Sequence, residues 1–192
     1  MENFNIDTSI PLPINRTLFF NEQVDQFTIG NLIEQIININ ENDEYLIKLY
    51  KINNIVYEPQ PIKIYIDSYG GNVYQILGLI SVIRNSKTLI HTICTGVAMS
   101  CGFMLLISGH IRSCYKLSTP MYHQVSSGAD GEIKYLEDDL KESKRLQKIF
   151  EGIVLSYTKI TDKQLKNIYS KKKDWYMSAE EAKELRVVDN II

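Results

Sequence analysis

The chain switches between two hydrophobic periods. Ile62-Lys63-Ile64-Tyr65-Ile66-Asp67 alternates strictly and is rich in β-branched residues, which predicts a strand, and it runs straight into the turn signal Ser68-Tyr69-Gly70-Gly71. Val73, Ile76, Leu77, Ile80 and Ile83 then share one face of a helix. Thr88 to Thr95 reads as a second strand broken by Gly96, and Val97 to Ile107 as a second helix. Strand, glycine turn, helix, then the same again, is the rhythm of an α/β protein whose parallel sheet is joined by crossover helices.

Upstream, Leu18-Phe19-Phe20 reads as a short strand, and Phe27, Ile29, Leu32, Ile33, Ile36 and Ile37 predict a helix over Gln26 to Asn38. Residues 44–60 alternate around Asn53-Asn54 and read as a hairpin or extended excursion. Downstream, short strands are expected around Ile111–Lys116 and Met121–Val125. A long helix over about Gly131 to Thr158 follows, with the stripe Ile133, Leu136, Leu140, Leu146, Ile149, Ile153 and Tyr157. Ser178 with Glu181 three residues on has the form of a capping box. Residues 1–15, polar and carrying Pro11 and Pro13, read as an extended arm, which leaves 16–192 as a single domain.

Composition narrows the function classes. With 192 residues, 44% apolar and 23% charged, the chain is an ordinary globular length and mixture. Its net charge of -2 and the lack of a broad basic stretch argue against nucleic acid as a main partner, and Lys171-Lys172-Lys173 reads as a solvated loop or helix end. Three cysteines without a C-x-x-C pair are no disulfide framework, and with three histidines they give little support to a metal site. Neither a secretory signal nor a run of roughly 18 uncharged apolar residues is seen, so no membrane partner and a reducing, cytoplasmic location are expected.

The chemistry concentrates at the two glycine turns. Gly96-Val97-Ala98-Met99-Ser100-Cys101-Gly102 sets a hydroxyl among small residues near a helix start, where free backbone N–H groups gather. Gly70-Gly71 brings further amides with no side chain in the way. Acyl transfer needs such a nucleophile and such donors. On local chemistry alone, Ser100 reads equally as a cap or a packing residue, its segment lacks the G-x-S-x-G pattern, and Cys101 is a rival nucleophile. Spacing does not choose a base among His91, His110 and His123, nor an acid among ten aspartates.

Four motifs in order resemble the proteolytic subunit of the Clp protease (the ClpP family). Tyr65-Ile66-Asp67-Ser68-Tyr69-Gly70-Gly71 is similar to Y-I-N-S-P-G-G, and Gly96 to Gly102 to G-x-A-A-S-M-G. Met121-Tyr122-His123-Gln124 is similar to M-I-H-Q, and Asp174 to Ala182 to D-x-F-x-S-A-x-E-A, with Val188-Asp189 as the terminal pair. The resemblance spans roughly residues 15–192. It implies a crotonase-like fold of repeated β-β-α units with a protruding handle helix over about 124–158. It also implies a serine endopeptidase with Ser100 as nucleophile, His123 as base and then acid, Asp174 as orienting carboxylate, and the Gly71 and Cys101 amides as oxyanion hole. Further implications are a homo-oligomer of two stacked heptameric rings, unfolded polypeptide as substrate, and an AAA+ unfoldase partner. ATP would be used by that partner alone, with no cofactor or metal in this chain.

The chain departs from the pattern at Tyr69 and Val125, where the family has proline, and at Lys172-Lys173, where many members have Asp-Arg. The arm of residues 1–15 does not match the family's axial-pore loops, and residues 44–60 look inserted. Two other classes remain as alternatives: a non-catalytic ring or scaffold subunit, and a crotonase-like acyl-CoA enzyme.

Overall fold

The computed structural model describes residues 14–192, so the expected N-terminal arm lies, apart from its last two residues, outside the described residues. The central sheet orders strands β1 (Thr17–Phe20), β2 (Ile62–Ser68), β3 (Ile90–Met99), β4 (Ile111–Cys114) and β7 (Asn190–Ile191), all paired in parallel. Strand β5 (Thr119–Tyr122) also runs parallel to β3, and β6 (Trp175–Tyr176) joins β5 antiparallel. The mixed α/β architecture built on a parallel sheet agrees with the expected fold class.

Strand β3 organises the domain because it has two successive neighbours on one side. Its first half pairs with β4 over His91–Cys94, and its second half pairs with β5 over Val97–Met99. The expected break at Gly96 does not occur. The Asp67 carboxylate enters the ladder there and accepts a hydrogen bond from Val97 N at 2.9 Å, where β2 and β3 fall out of register. A Cβ on Gly96 would meet that carboxylate at 2.6 Å, so this glycine makes room inside a strand and does not end it. Helix α3 (Cys101–Ser108) therefore begins four residues later than the pattern predicts, and every residue in it is buried.

The second correction concerns α1 (Gln26–Ile52), which is a single helix of 27 residues. Asp25 caps it, accepting from Phe27 N and Thr28 N, while the Thr28 hydroxyl accepts from Asp25 N. Its buried stripe is Ile29, Leu32, Ile36, Ile39, Asp43 and Leu46. A charge at the fifth position hides the helical period, so residues 44–52 read as alternating when they continue the same face.

Asp43 is 2% exposed and fully partnered. Both its oxygens take hydrogen bonds from the Arg16 guanidinium, and Thr88 Oγ1 and Tyr57 OH donate to it as well. The clasp joins the start of β1, the middle of α1, the return segment after α1 and the turn before β3. Burial alone would raise the Asp43 pKa, but the hydrogen bonds from Arg16 and Thr88 and the Arg16 charge outweigh it and leave it lowered.

The remaining helices are α2 (Val73–Asn85), α4 (Ile133–Tyr157), α5 (Asp162–Lys171) and α6 (Ala179–Glu184). The long helix thus appears close to its expected bounds. Ser178 caps α6 by accepting from Glu181 N at 3.1 Å, but the reciprocal half of the box is replaced: the Glu181 carboxylate takes Trp175 Nε1 at 2.9 Å. Val188-Asp189 also has a structural task. Asp189 accepts from Arg112 N, Nε and Nη2, and Arg112 Nη1 donates to Tyr157 O, which ties the C-terminal strand to β4 and α4.

Removing one partner of a buried charge pair strands the other, so Asp43→Ala is expected to cost about 3–5 kcal/mol, read from chemical unfolding. Because the folded-state pKa of Asp43 is lowered, its stabilisation holds above the ordinary carboxylate range near ~4 and fades as pH falls below it. Acid unfolding titrations should therefore show a steeper loss in the wild-type chain than in Arg16→Met with Asp43→Leu. Equal slopes would remove the clasp from the account.

Candidate active site

Ser100 is the residue between β3 and α3, and its backbone is strained. It adopts φ 53° and ψ -118°, a region that costs a non-glycine residue on the order of 1–3 kcal/mol. The surroundings hold it there. Ser100 N donates to Met121 O at 3.0 Å, and Ser100 O accepts from Met104 N at 3.2 Å. The hydroxyl makes no capping hydrogen bond, which disposes of the reading of Ser100 as a helix cap. The letters G-x-S-x-G are absent, yet strand, strained serine and helix follow one another as in a nucleophile elbow.

Two glycines make this turn possible. A Cβ on Gly102 would meet Ser68 O at 2.7 Å, so α3 packs directly on the end of β2. A Cβ on Gly70, whose φ is 101°, would meet Met99 O at 2.7 Å, Ser100 Cβ at 2.8 Å and Cys101 N at 2.9 Å. The two glycine turns are therefore in van der Waals contact, backbone against backbone.

The Gly70-Gly71 turn is fixed without the proline that Tyr69 replaces. Ser68 Oγ donates to Glu22 O at 2.6 Å and accepts from Gly70 N at 3.2 Å. Val24 N donates to Gly70 O at 2.8 Å, and Asn72 N donates to Val24 O at 2.7 Å. Tyr69 itself points outward and is exposed. The Cys101 amide opens α3, and the Gly71 amide lies beside it at the turn that carries Ser100.

The histidines separate by position. His91 Nε2 is engaged with Ser113 Oγ at 2.8 Å, near the start of β3 and nine residues from Ser100, about 30 Å along a strand. His110 Nδ1 accepts from Ile90 N at 3.0 Å at the same remote end. Burial lowers the pKa of both. His123 alone lines the small cavity that Ser100 lines, together with Gly71, Val73, Met104 and Phe150. Its segment is held by Gln147 of α4, whose Oε1 accepts from Val125 N at 2.7 Å and whose Nε2 donates to Tyr122 OH at 3.3 Å. Gln147 shows what the missing proline permits, since a proline at 125 would have no N–H to offer. Periodicity does not mark this anchor, because Gln147 lies outside the apolar stripe that defines the helix.

Asp174 is placed by the β5–β6 ladder. The last pair of that ladder is Tyr122↔Trp175, so His123 follows it on one strand and Asp174 precedes it on the other. Its carboxylate is exposed and accepts a long hydrogen bond, 3.5 Å, from Tyr176 OH. Lys172 before it takes the left-handed C-cap of α5 at φ 49°. Among the described residues, no hydrogen bond links Ser100 to His123 or His123 to Asp174.

The rival nucleophile is neutral and enclosed. Cys101 is 0% exposed, its Sγ donates to Gly71 O at 3.2 Å, and burial pushes the thiol up to about 11. No cluster of three or more histidine, cysteine, aspartate or glutamate side chains able to hold a metal occurs among the described residues.

Comparison with known proteins bears on what this arrangement serves. The family model described as Clp protease matches residues 3–192. An ATP-dependent Clp protease proteolytic subunit of Bacteroides thetaiotaomicron is 30% identical over 189 residues, 97% of this chain and 79% of the relative. The ATP-dependent Clp protease proteolytic subunit 1 of Prochlorococcus marinus is 30% identical over 92% of this chain and 83% of its own length. The corresponding subunit of Deinococcus radiodurans is 34% identical over 69% of this chain and 65% of its own length.

Gly70→Ala tests the backbone contact. Its methyl group would strike main-chain atoms on both sides of Ser100, so labelling of the serine by a phosphonate should slow at least about a hundredfold. Labelling at the wild-type rate would show that the contact does not shape the nucleophile.

Proposed function

Because this chain belongs to the Clp protease family and is a serine-type peptidase of the proteolytic-subunit kind, we propose that Ser100, His123 and Asp174 carry its chemistry. The observation that carries the proposal is the strained, uncapped Ser100 sharing one cavity with His123.

In this mechanism Ser100 Oγ attacks the peptide carbonyl carbon while His123 takes the hydroxyl proton. The carbonyl π electrons move to oxygen, and the resulting oxyanion is held by the Gly71 and Cys101 amides. Collapse breaks the C–N bond, His123 hands its proton to the departing amine, and an ester on Ser100 remains. Water, deprotonated by His123, repeats the sequence and releases the acid. Asp174 orients the imidazole and stabilises its protonated form. On this reading the hydrogen bonds among the three side chains close when peptide binds and the subunit is assembled.

The substrate class is unfolded polypeptide, admitted to a chamber made of copies of this chain. Support for assembly comes from α4. Leu146, Phe150 and Val154 are buried within the subunit, whereas Ile133, Leu136 and Leu140 continue the stripe and are exposed. Stacked heptameric rings with these outer turns between them would cover that face. We further assign ATP use to an AAA+ unfoldase partner, in keeping with the ATP-dependent name of the relatives, and no metal or cofactor to this chain. Among the described residues no helix is long and apolar enough to cross a membrane, and a cytoplasmic site of action is proposed on the same family grounds.

Ser100→Ala should abolish both phosphonate labelling and cleavage of a fluorogenic peptide, a loss of at least about a thousandfold, while leaving assembly intact. Retained cleavage would reject Ser100 as nucleophile. By light scattering the wild-type chain should be a large ring assembly, and a Leu136→Asp with Leu140→Asp variant a smaller one. A monomer at every concentration of wild-type protein would end the chamber reading.

A further inference from the structure

We infer that the Cys101 side chain is a positioning residue for the oxyanion hole, its buried thiol holding the Gly71 peptide so that the two amide donors keep a fixed relation. The inference rests on the catalytic reading above and goes beyond it, because there Cys101 contributes only its backbone.

Gly71 relies wholly on its neighbours for the alignment of a catalytic donor. It follows another glycine, its φ is 149°, and neither residue has a side chain to limit its backbone. Two backbone hydrogen bonds reach this turn, Val24 N to Gly70 O and Asn72 N to Val24 O, and together they make the parallel bridge of Val24 with Gly71. They fix the carbonyl before Gly71 and the amide after it. The Gly71 carbonyl has a different partner, Cys101 Sγ at 3.2 Å. With that contact, the peptide after Gly71 is held from the α3 side as well as by Val24, so the turn is tied directly to the residue that carries the other donor.

The second pin comes from the residue whose amide is the other donor. Cys101 N begins α3, and the Cys101 side chain reaches back across the contact between the glycine turns. One residue thereby spans the hole, supplying a donor through its main chain and aiming the other through its sulfur. Full burial suits this role, since no water competes for the Gly71 carbonyl. Burial also keeps the sulfur protonated at neutral pH, as a donor has to be.

The test compares side chains of matched shape with and without a donor, in the assembled full-length chain, by steady-state cleavage of a fluorogenic peptide. Cys101→Ala should lower kcat about tenfold with KM changed less than about twofold, because the interaction matters where charge develops on oxygen. Cys101→Ser, which restores a donor, should recover kcat to within about threefold of wild type. Equal kcat for the serine and alanine variants, or an effect confined to KM, overturns the inference. Should alanine destabilise the subunit, Cys101→Thr and Cys101→Val decide it, being alike in shape and different only in the hydroxyl. Ser100→Ala in the same assay keeps the two readings apart. If it remains active the catalytic reading itself fails, whereas an inactive Ser100→Ala beside a fully active Cys101→Ala refutes the thiol's role alone.

Discussion

The structure depends on two stretches of main chain touching where side chains would ordinarily keep them apart. Gly70 lies against Met99, Ser100 and Cys101 closely enough that a single methyl group would not fit. That contact has to be made between the C-terminal ends of β2 and β3, adjacent parallel strands, so both loops leave the sheet on the same side. Once it is made, the strained backbone of Ser100 has no room to relax, and Ser100 and Gly71 line one small cavity with His123. A site of this kind needs little polar machinery of its own, because the sheet supplies the alignment.

Two ion pairs, one buried and one half-buried, brace the sheet from opposite flanks. Arg16 with Asp43 ties the edge strand β1 to α1, and Arg112 with Asp189 ties β4 to the C-terminus and the end of α4. Each carboxylate accepts several donors, and removing one partner of such a pair costs more than the pair itself contributes. Both lie away from Ser100, which leaves the cavity lined by Val73, Met104 and Phe150 free of competing charge.

How much of this could be read from the residues depended on whether the signal was periodic. The alternation from Ile62 to Asp67 and the stripe of α4 announced their elements well. Asp43 concealed half of α1 because a charge inside an apolar stripe reads as an interruption unless its partners, distant in sequence, are known. Gly96 misled for a similar reason: the group that required its missing side chain was the carboxylate of Asp67 on the neighbouring strand. The strain at Ser100 leaves no trace in composition or spacing. His123 and Asp174 were singled out only by family resemblance, and the ladder between β5 and β6 explains why spacing was silent, since fifty-one positions of chain separate two residues that flank the same pair, Tyr122↔Trp175.

The length of α1 carries a meaning for how such a chain can vary. A helix of 27 residues is about 40 Å long. Its start lies beside Val24, which bridges to Gly71, and its extension past Asp43 lengthens it from the opposite end, in phase with the stripe already buried. Additional turns placed there, with an irregular segment leading back to β2, leave the register of the sheet untouched. The peptidase core and the outer tip of this helix are thus separable under selection. One end is held to the tolerances of a reaction, while the other is open to lineage-specific growth.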